Sequence, residues 1–575
     1  MAAPSSPAER QPLLRSPRPS SANSPSASTT SSPTFDPESE TETNVKDEVP
    51  VKISRSRGAL IVGSIGLLIF LQATNISILT TTQSAIAADL DAFDQVTWLT
   101  SSYLIAMSSL GPLMGRLSQL FSPRTCLFLA TLIICAGTIV TSTSVSLEMF
   151  LVGRVMTGAG AAGVLIISSI IAIQMTSPKD RGLFIGLVNS GMTVGVSLGA
   201  VIAGALEPKI GWKPLFGIQA PLSLLAGFGI LLGIPKNFTA NSAYKGVPFQ
   251  QKVARIDYSG IVLLIFTTML FLLGLSGPQI LPTPLILSAI SLPVFVLNEV
   301  YIAKDPIIPV SVLRSRGTLL TCLATTGFMM ARWSVLFYTP VYALAVRGWD
   351  PAVAGSILIP TNAGFASGGL LAGIFHIRRN GSFYLPTLVA MSLFPVTLLA
   401  LGFLNTAHSS SALYVVLVFC NGLLTGASLN YVLVHLLHLT LPEVHPIVLS
   451  LLATFRGFAG SFGSAIGGGL FARVLRKSLI NGFENAGLNG EKDRDLIRRL
   501  VGSPALVRGL DHVRKDIAVS AYEKGLKALF FAGVGLAVIV TLVQAGTGWK
   551  EPVKEEEERL EEEDMEGEEA TFGAT

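Results

Sequence analysis

The sequence predicts an all-α polytopic membrane protein of fourteen transmembrane helices, two six-helix bundles with two further helices inserted between them. Three observations predict it. Apolar runs of about 20 residues, each able to cross a hydrocarbon core about 30 Å thick, recur along the chain. Only 14% of the 575 side chains are charged, against about 25% in soluble proteins, and mean hydropathy is +0.58. A glycine pattern in the fifth run returns in the thirteenth, as expected of two related halves.

Residues 1–57 are rich in Ser, Pro and Thr and hold few apolar side chains, so they are expected to form a disordered cytosolic tail with no cleavable leader. Spans follow near 58–80, 96–116, 124–144, 147–173, 182–206 and 214–235, which make the first bundle, 58–235. The linker 236–317 holds the inserted pair, near 257–277 and 282–302. The second bundle, 318–546, takes spans near 318–346, 350–376, 383–405, 410–440, 446–472 and 525–546, with a long lumenal loop near 473–524. The tail 547–575 carries the run EEEERLEEEDMEGEEA, like charges that repel one another and favour solvent.

An even span count places both termini on one side, and loop charge says which. Thirteen Lys and Arg lie in short loops on the tail's side, from Arg116 to Arg379, against Lys209, Lys213 and Arg347 opposite, so both tails are expected in the cytosol. The loop 473–524 is also basic, but about fifty residues is too long to set topology, and Glu484, Glu491, Asp493, Asp495, Asp511 and Asp516 offset its charge.

Several functions are set aside. A net charge of +4 over this length does not point to nucleic acid. Cys126, Cys135, Cys322 and Cys420 are scattered, with no Cys-x-x-Cys and no nearby His, so neither a disulfide framework nor a metal site is expected. No phosphate-binding Gly-x-x-x-x-Gly-Lys-Ser/Thr occurs, and no nucleophile, base and orienter assemble, so neither an enzyme nor a cofactor is expected.

The residues that carry chemistry are sparse. Arg154, in LVGRVMTGAGAAG, lies inside an apolar span, where an uncompensated guanidinium costs several kcal/mol, so it should face a wet cavity or a polar partner. For Arg332 and Arg456 the preferred reading is snorkelling to an interface. His435 and His438 read as structural. No Asp or Glu sits at mid-membrane, so the candidate cavity lining is uncharged: Gln72, Asn75, Gln83, Tyr103, Asn189, Tyr338, Tyr342, Asn362, Asn421, Asn430 and Tyr431. Gly191, Gly195 and Gly199 form a small-residue ridge that suits close helix packing, echoed by Gly460, Gly463 and Gly467.

Four stretches carry a resemblance. GRLSQLFSPR, Gly115 to Arg124, resembles the loop signature of the major facilitator superfamily, and LVGRVMTGAGAAG resembles its fourth-helix signature, with Arg154 as the arginine. GMTVGVSLGAVIAG is similar to the fifth-helix antiporter signature, and GWKPLFGIQAP looks like the start of the sixth helix in the fourteen-span drug:proton antiporter group. With RIDYSG opening the seventh span, the match covers 58–546. Gln119 and Ser122 stand where the loop signature has Asp and Gly, and Asn75 where many relatives carry Asp. Val196 and Ala200 replace a proline and a glycine of the fifth-helix signature, and all of these departures weaken a proton:drug antiport reading. TNISILTTTQSAIAADLDAF and AKDPIIPVSVLRSRG are closer in wording to the fungal vacuolar basic amino acid transporters.

The resemblance implies a major facilitator fold and a secondary transporter that moves basic amino acids into the vacuole in exchange for protons. Asn75, Gln83, Asp89, Tyr103, Arg154, Tyr338, Tyr342 and Asn362 are the candidate binding or coupling residues, with Asp91 beside Asp89 at the lumenal end of span 1. Gly115, Gln119, Arg124, Gly191, Gly195 and Gly199 are the conformational motifs. Glu9, Leu13 and Leu14 resemble an acidic dileucine signal read by a sorting adaptor, and the sequon at Asn237 falls on the cytosolic side. Expected partners are therefore a small-molecule substrate, protons, the lipid bilayer and that adaptor. A plasma-membrane exporter of drugs or secondary metabolites, and a nutrient sensor that does not transport, remain open.

Overall fold

A computed structural model describes residues 54–175, 181–235, 247–276, 279–303, 306, 308, 310–377, 383–440, 445–488 and 490–548. The sorting signal at Glu9, Leu13 and Leu14, nearly all of the N-terminal tail, the sequon at Asn237 and the acidic run lie outside the described residues. Everything described belongs to one compact unit, Pro50–Thr575.

Among the described residues there is no strand, and thirteen helices are long and apolar enough to cross a membrane. The first half contains α1 (Arg55–Asp89), α2 (Val96–Leu120), α3 (Pro123–Ser142), α4 (Leu147–Met175), α5 (Arg181–Ile210) and α6 (Lys213–Gly233). The inserted pair is α7 (Tyr258–Ser276) and α8 (Pro282–Ile302). The second half contains α9 (Arg316–Ala345), α10 (Pro351–Ile374), α11 (Tyr384–Phe403), α12 (Ser411–His438), α13 (His445–Asn485) and α14 (His512–Ala545). The one of these fourteen that is not apolar enough over the length of a span is α2, a 25-residue helix in which Thr100, Ser101, Ser102, Ser108 and Ser109 are buried. It is shielded from lipid by its neighbours, which is why it can carry so many hydroxyls.

The halves repeat one packing plan. In the first, α1 packs on α5 and α6, and α4 on α2 and α3; in the second, α9 packs on α13 and α14, and α12 on α10 and α11. Two seams join them, α2 with α13 and α5 with α10, while α7 leans on both helices of the first seam. Lipid gives no hydrophobic drive for one helix to seek another, so small residues that let backbones approach do much of the work. A Cβ at Gly199 would lie 2.8 Å from the Thr74 Cα on α1, and one at Gly463 would lie 2.9 Å from the Met330 carbonyl on α9. The glycine ridges are thus equivalent seats for the first helix of each half.

One expected boundary is corrected. The region 473–524 is not a loop. The 41-residue α13 runs through to Asn485, a short helix spans Glu491–Gly502, a 3-10 turn spans Pro504–Gly509, and the 34-residue α14 starts at His512. At 1.5 Å per residue α13 is about 60 Å long, roughly twice the hydrocarbon thickness. Apolar runs stop at the first charges, at Arg473, whereas the helix continues into water and forms a folded cap on the side away from the start of α1. Here the two faces are called the tail side, where α1 begins, and the far side. The end of α14 returns to the tail side, with the Tyr384 hydroxyl donating to the Ala545 carbonyl at 2.7 Å and His435 lying 3.0 Å from the Thr547 hydroxyl.

Candidate functional site

The seams are closed at the far side. Along α2 and α13, Ser101 meets Ser464 at 3.3 Å and Ser108 meets Ser461 at 3.0 Å. Along α5 and α10, the Asn362 amide donates to the Ser197 hydroxyl at 3.3 Å, and a Cβ at Gly204 would sit 2.7 Å from the Ala352 Cα. Packing along α13 is uneven. Gly468 and Gly457 lie three turns apart on one face of α13. A Cβ at Gly468 would meet Thr97 at 3.0 Å and the Tyr338 hydroxyl at 3.2 Å, whereas one at Gly457 meets nothing within 4 Å. The far ends of both seams are thus closed.

In the first half, Arg154 is 1% exposed and stacks over the Tyr103 ring, 4.5 Å from its centroid, with Phe216 at 5.7 Å. One terminal nitrogen donates to the Asn75 carbonyl oxygen at 2.5 Å, the Asn75 amide donates to Gln219 at 2.9 Å, and Gln219 donates to the Leu215 carbonyl at 3.1 Å. The chain of bonds therefore crosses from α4 through α1 to α6. Arg154 Nε and its other terminal nitrogen have no hydrogen-bond partner, nor does the Tyr103 hydroxyl. Among the described residues no acidic side chain pairs with Arg154. A buried guanidinium with two idle donors and neutral neighbours is a fixed positive charge in a low-dielectric interior.

The second half holds a matching charge. Arg332, expected to snorkel, is instead 2% exposed. It bonds the Thr361 hydroxyl, the Thr361 carbonyl at 3.2 Å and the Asn421 carbonyl oxygen at 3.3 Å, and Asn421 donates on to Thr397 at 2.9 Å. The preference for snorkelling fails because the residue sits midway along the 30-residue α9, too deep for its stem to reach an interface.

The other candidates separate. Gln83 and Tyr338 line a small pocket of about 60 Å³ with Thr97 and Ser464, just beneath the closed seam. Asp89 does not join them: α1 runs on past the apolar region, and Asp89 ends it in an exposed ion pair with Lys213 at 3.4 Å. Nor does Tyr342, which turns into the second half to stack on Tyr414 at 4.1 Å and to donate to the Thr406 carbonyl at 3.2 Å. Gly115 abuts Ile166, Gln119 accepts from Arg116 at 2.9 Å, and Arg124 lies half-buried at the start of α3. Gly195 and Gly199 are close seats for α1, while Gly191 has 3.8 Å to Ile69 and carries no such constraint. Three elements escaped the sequence reading: Gln219, the Arg332 anchor, and the serines of the first seam. The spacing of Ser101 with Ser108, and of Ser461 with Ser464 and Gly468, places small polar residues on one helical face and is the signal that marks them.

Outside the spans, Arg498 of the far-side helix bonds Asp94 at 2.6 Å and Asp91 at 3.2 Å. The hydrogen bond to Asp94 raises the Arg498 pKa above its ordinary value, so the link stays charged.

Comparison with known proteins agrees with this architecture. The sequence model of the Major Facilitator Superfamily matches residues 65–464. The vacuolar membrane amino acid uptake transporter fnx2 of Schizosaccharomyces pombe is 27% identical over 75% of this chain and 74% of its own. The efflux pump dotC of Dothistroma septosporum (strain NZE10 / CBS 128990) is 27% identical over 58% of each chain. Among solved structures, a bacterial homologue of the human lysosomal transporter Spinster superposes with a TM-score of 0.59 at 14% identity, covering 86% of this chain and 97% of the other.

Proposed function

We infer the function from one premise: the chain belongs to the Major Facilitator Superfamily, and it is therefore a multi-pass membrane transporter of small molecules. We propose that its substrate bears a carboxylate, that it is an amino acid of the basic class, and that it moves from the cytosol into the vacuole in exchange for protons. The observation that carries this is the buried Arg154 guanidinium with two nitrogens unbonded, and Arg332 adds a second buried positive charge in the other half. Among the described residues the buried acids are Asp257, Glu299 and Asp493, beside or within the inserted pair and in the far-side cap. The interior of the two bundles is thus positive and favours an anionic group. A substrate carboxylate would engage Arg154 when the halves rock, with Asn75 and Tyr103 positioning the guanidinium. The substrate cation would rest on aromatic faces and carbonyls, near Tyr338 and Gln83, where cation–π attraction serves in place of an acid.

The direction rests on the loop charges, which favour a cytosolic tail side, and the compartment on the similarity to fnx2. A second reading, efflux at the plasma membrane, is favoured by the similarity to dotC and by the stacked Trp333 and Phe337 rings, 5.3 Å apart. The test is ATP-energised uptake of a panel of labelled amino acids into vacuole vesicles, together with the location of a tagged chain. Saturable lysine, arginine or histidine uptake that collapses with the proton gradient supports the proposal. A plasma-membrane location with no uptake supports export, and a vacuolar location with no uptake supports a sensor. If Leu13 and Leu14 form a sorting signal, changing both to Ala moves the tagged chain toward the cell surface.

A further inference from the structure

The far-side cap borders an open cavity of about 810 Å³ outside the two bundles. It lies between the far end of α13, the helix Glu491–Gly502 and the start of α2. Its walls follow from helical periodicity: Arg476, Ile480 and Glu484 form one four-residue stripe on α13, and Arg494, Ile497 and Arg498 face them from the short helix. Phe483, Leu488 and Val501 add apolar surface, and Trp98 stands at the mouth of α2. Arg498 is already paired with Asp94 and Asp91. Arg476 and Arg494 have no acidic partner among the described residues, and neither has Glu484 a basic one.

The cavity adjoins the path between the halves. Thr97 is in the wall of this chamber and also in the wall of the small pocket that holds Gln83 and Tyr338. The same Thr97 closes on Gly468 at the far end of the first seam. The two cavities are therefore neighbours that share a wall residue.

We propose that this chamber is a second binding site, a far-side vestibule that receives a carboxylate-bearing substrate on Arg476 and Arg494 and its cationic group on Glu484. The proposal rests on the carboxylate reading of the substrate given above. Two guanidinium groups with free donors can grip one carboxylate from two directions, while the apolar wall takes the aliphatic part of the molecule. The Arg498 link to Asp91 and Asp94 holds the short helix beside the start of α2 and so fixes one wall of the chamber.

The test uses charged thiol reagents as probes and does not depend on knowing the substrate. Ala472 lines the chamber; in the full-length chain in phosphatidylcholine vesicles, Ala472→Cys is exposed to an anionic sulfonatoethyl methanethiosulfonate and to a cationic trimethylammonioethyl analogue. The parental chain gives the background from its four native cysteines. Relative to their rates with a free thiol, the anionic reagent is expected to react about tenfold faster than the cationic one, the order of steering that a charged cleft provides. With Arg476→Gln and Arg494→Gln added, Glu484 and Asp94 remain and the preference disappears or inverts. Equal normalised rates in Ala472→Cys, or a preference that survives the double change, overturn the site. Labelling that is slow with both reagents in vesicles rich in acidic phospholipid but fast in phosphatidylcholine assigns the chamber to a lipid headgroup and also overturns it. In a second arm, Arg476→Gln with Arg494→Gln raises the KM for lysine entering from the far side severalfold with kcat kept; an unchanged KM shows that the chamber is off the path. Absence of lysine transport in the parental chain counts against the substrate reading alone, since the reagent ratio is measured without transport.

Discussion

The two halves face one physical problem, a guanidinium buried away from water, and meet it differently. Arg332 spends its donors on Thr361 and Asn421, and Asn421 is held in turn by Thr397, so the charge ties α9 to three neighbouring helices. Arg154 gives one bond to Asn75 and leaves two nitrogens idle over the Tyr103 ring. The Arg–Asn pair joins the first and fourth helices of each half, with the roles exchanged: arginine on α4 and asparagine on α1 in one, arginine on α9 and asparagine on α12 in the other. What separates them is satisfaction. A satisfied buried charge fixes structure, and an unsatisfied one stores a penalty of about 3 kcal/mol or more that a ligand can relieve.

The largest effects should divide along this line. Arg154→Ala is expected to abolish uptake and Arg154→Lys to retain a small part, because Lys keeps the charge without the planar two-pronged geometry. Both should reach the membrane in normal amounts and melt no lower than the parental chain. Arg332→Met should do the reverse, lowering the Tm by several degrees as Thr361 and Asn421 lose their partner, while the folded fraction still transports. Thermal unfolding and uptake measured on the same preparations separate the two; a destabilised Arg154→Ala would make both arginines structural. Next in size is a lock between the halves. Ser101→Cys with Ser464→Cys, whose hydroxyls now lie 3.3 Å apart, should cross-link on oxidation, stop uptake, and recover with reductant. Full uptake by the cross-linked chain would mean that this seam does not open.

Smaller effects test the equivalence of the glycine seats. Gly199→Leu and Gly463→Leu should both cut folded yield severalfold, since each drives a side chain into the first helix of its own half, whereas Gly457→Leu should be tolerated where nothing lies within 4 Å. A gel-filtration profile of each variant in detergent checks this, and unequal losses at the two seats would break the repeat. The smallest change is Asn75→Asp. A carboxylate beside Arg154 occupies the guanidinium in advance, so KM should rise roughly fivefold at unchanged kcat, close to 1 kcal/mol of competing attraction.

The spans are legible because all but α2 are long, strongly apolar runs, and the repeat because glycine at four-residue spacing has one dominant use in lipid. Arg154 stood out for the same reason, as a charge that water could not easily reach. Arg332 was misjudged because its surroundings in sequence, GFMMARWSVLF, show no polar partner: Thr361 and Asn421 come from α10 and α12, tens of residues away. Residue type marks Asp89, at the lumenal end of span 1, and Tyr342 as candidates, whereas the ion pair of Asp89 with Lys213 and the stacking of Tyr342 on Tyr414 depend on neighbours far away in sequence. The far-side cap was hidden by its charges, which in a membrane protein read as loop whether or not the backbone stays helical. The serine seam was hidden by chemistry so ordinary that only its facing partners, 353 residues apart between Ser108 and Ser461, give it meaning.

The central claim is that the transporter recognises a carboxylate through Arg154, and one competition measurement addresses it. Labelled lysine uptake into energised vacuole vesicles is challenged with unlabelled lysine and, at the same concentration, with cadaverine, which is lysine without its carboxylate. Lysine is expected to suppress the signal and cadaverine to leave it nearly unchanged. Equal suppression by both would show that the cation alone is read, and the carboxylate role of Arg154 would be contradicted.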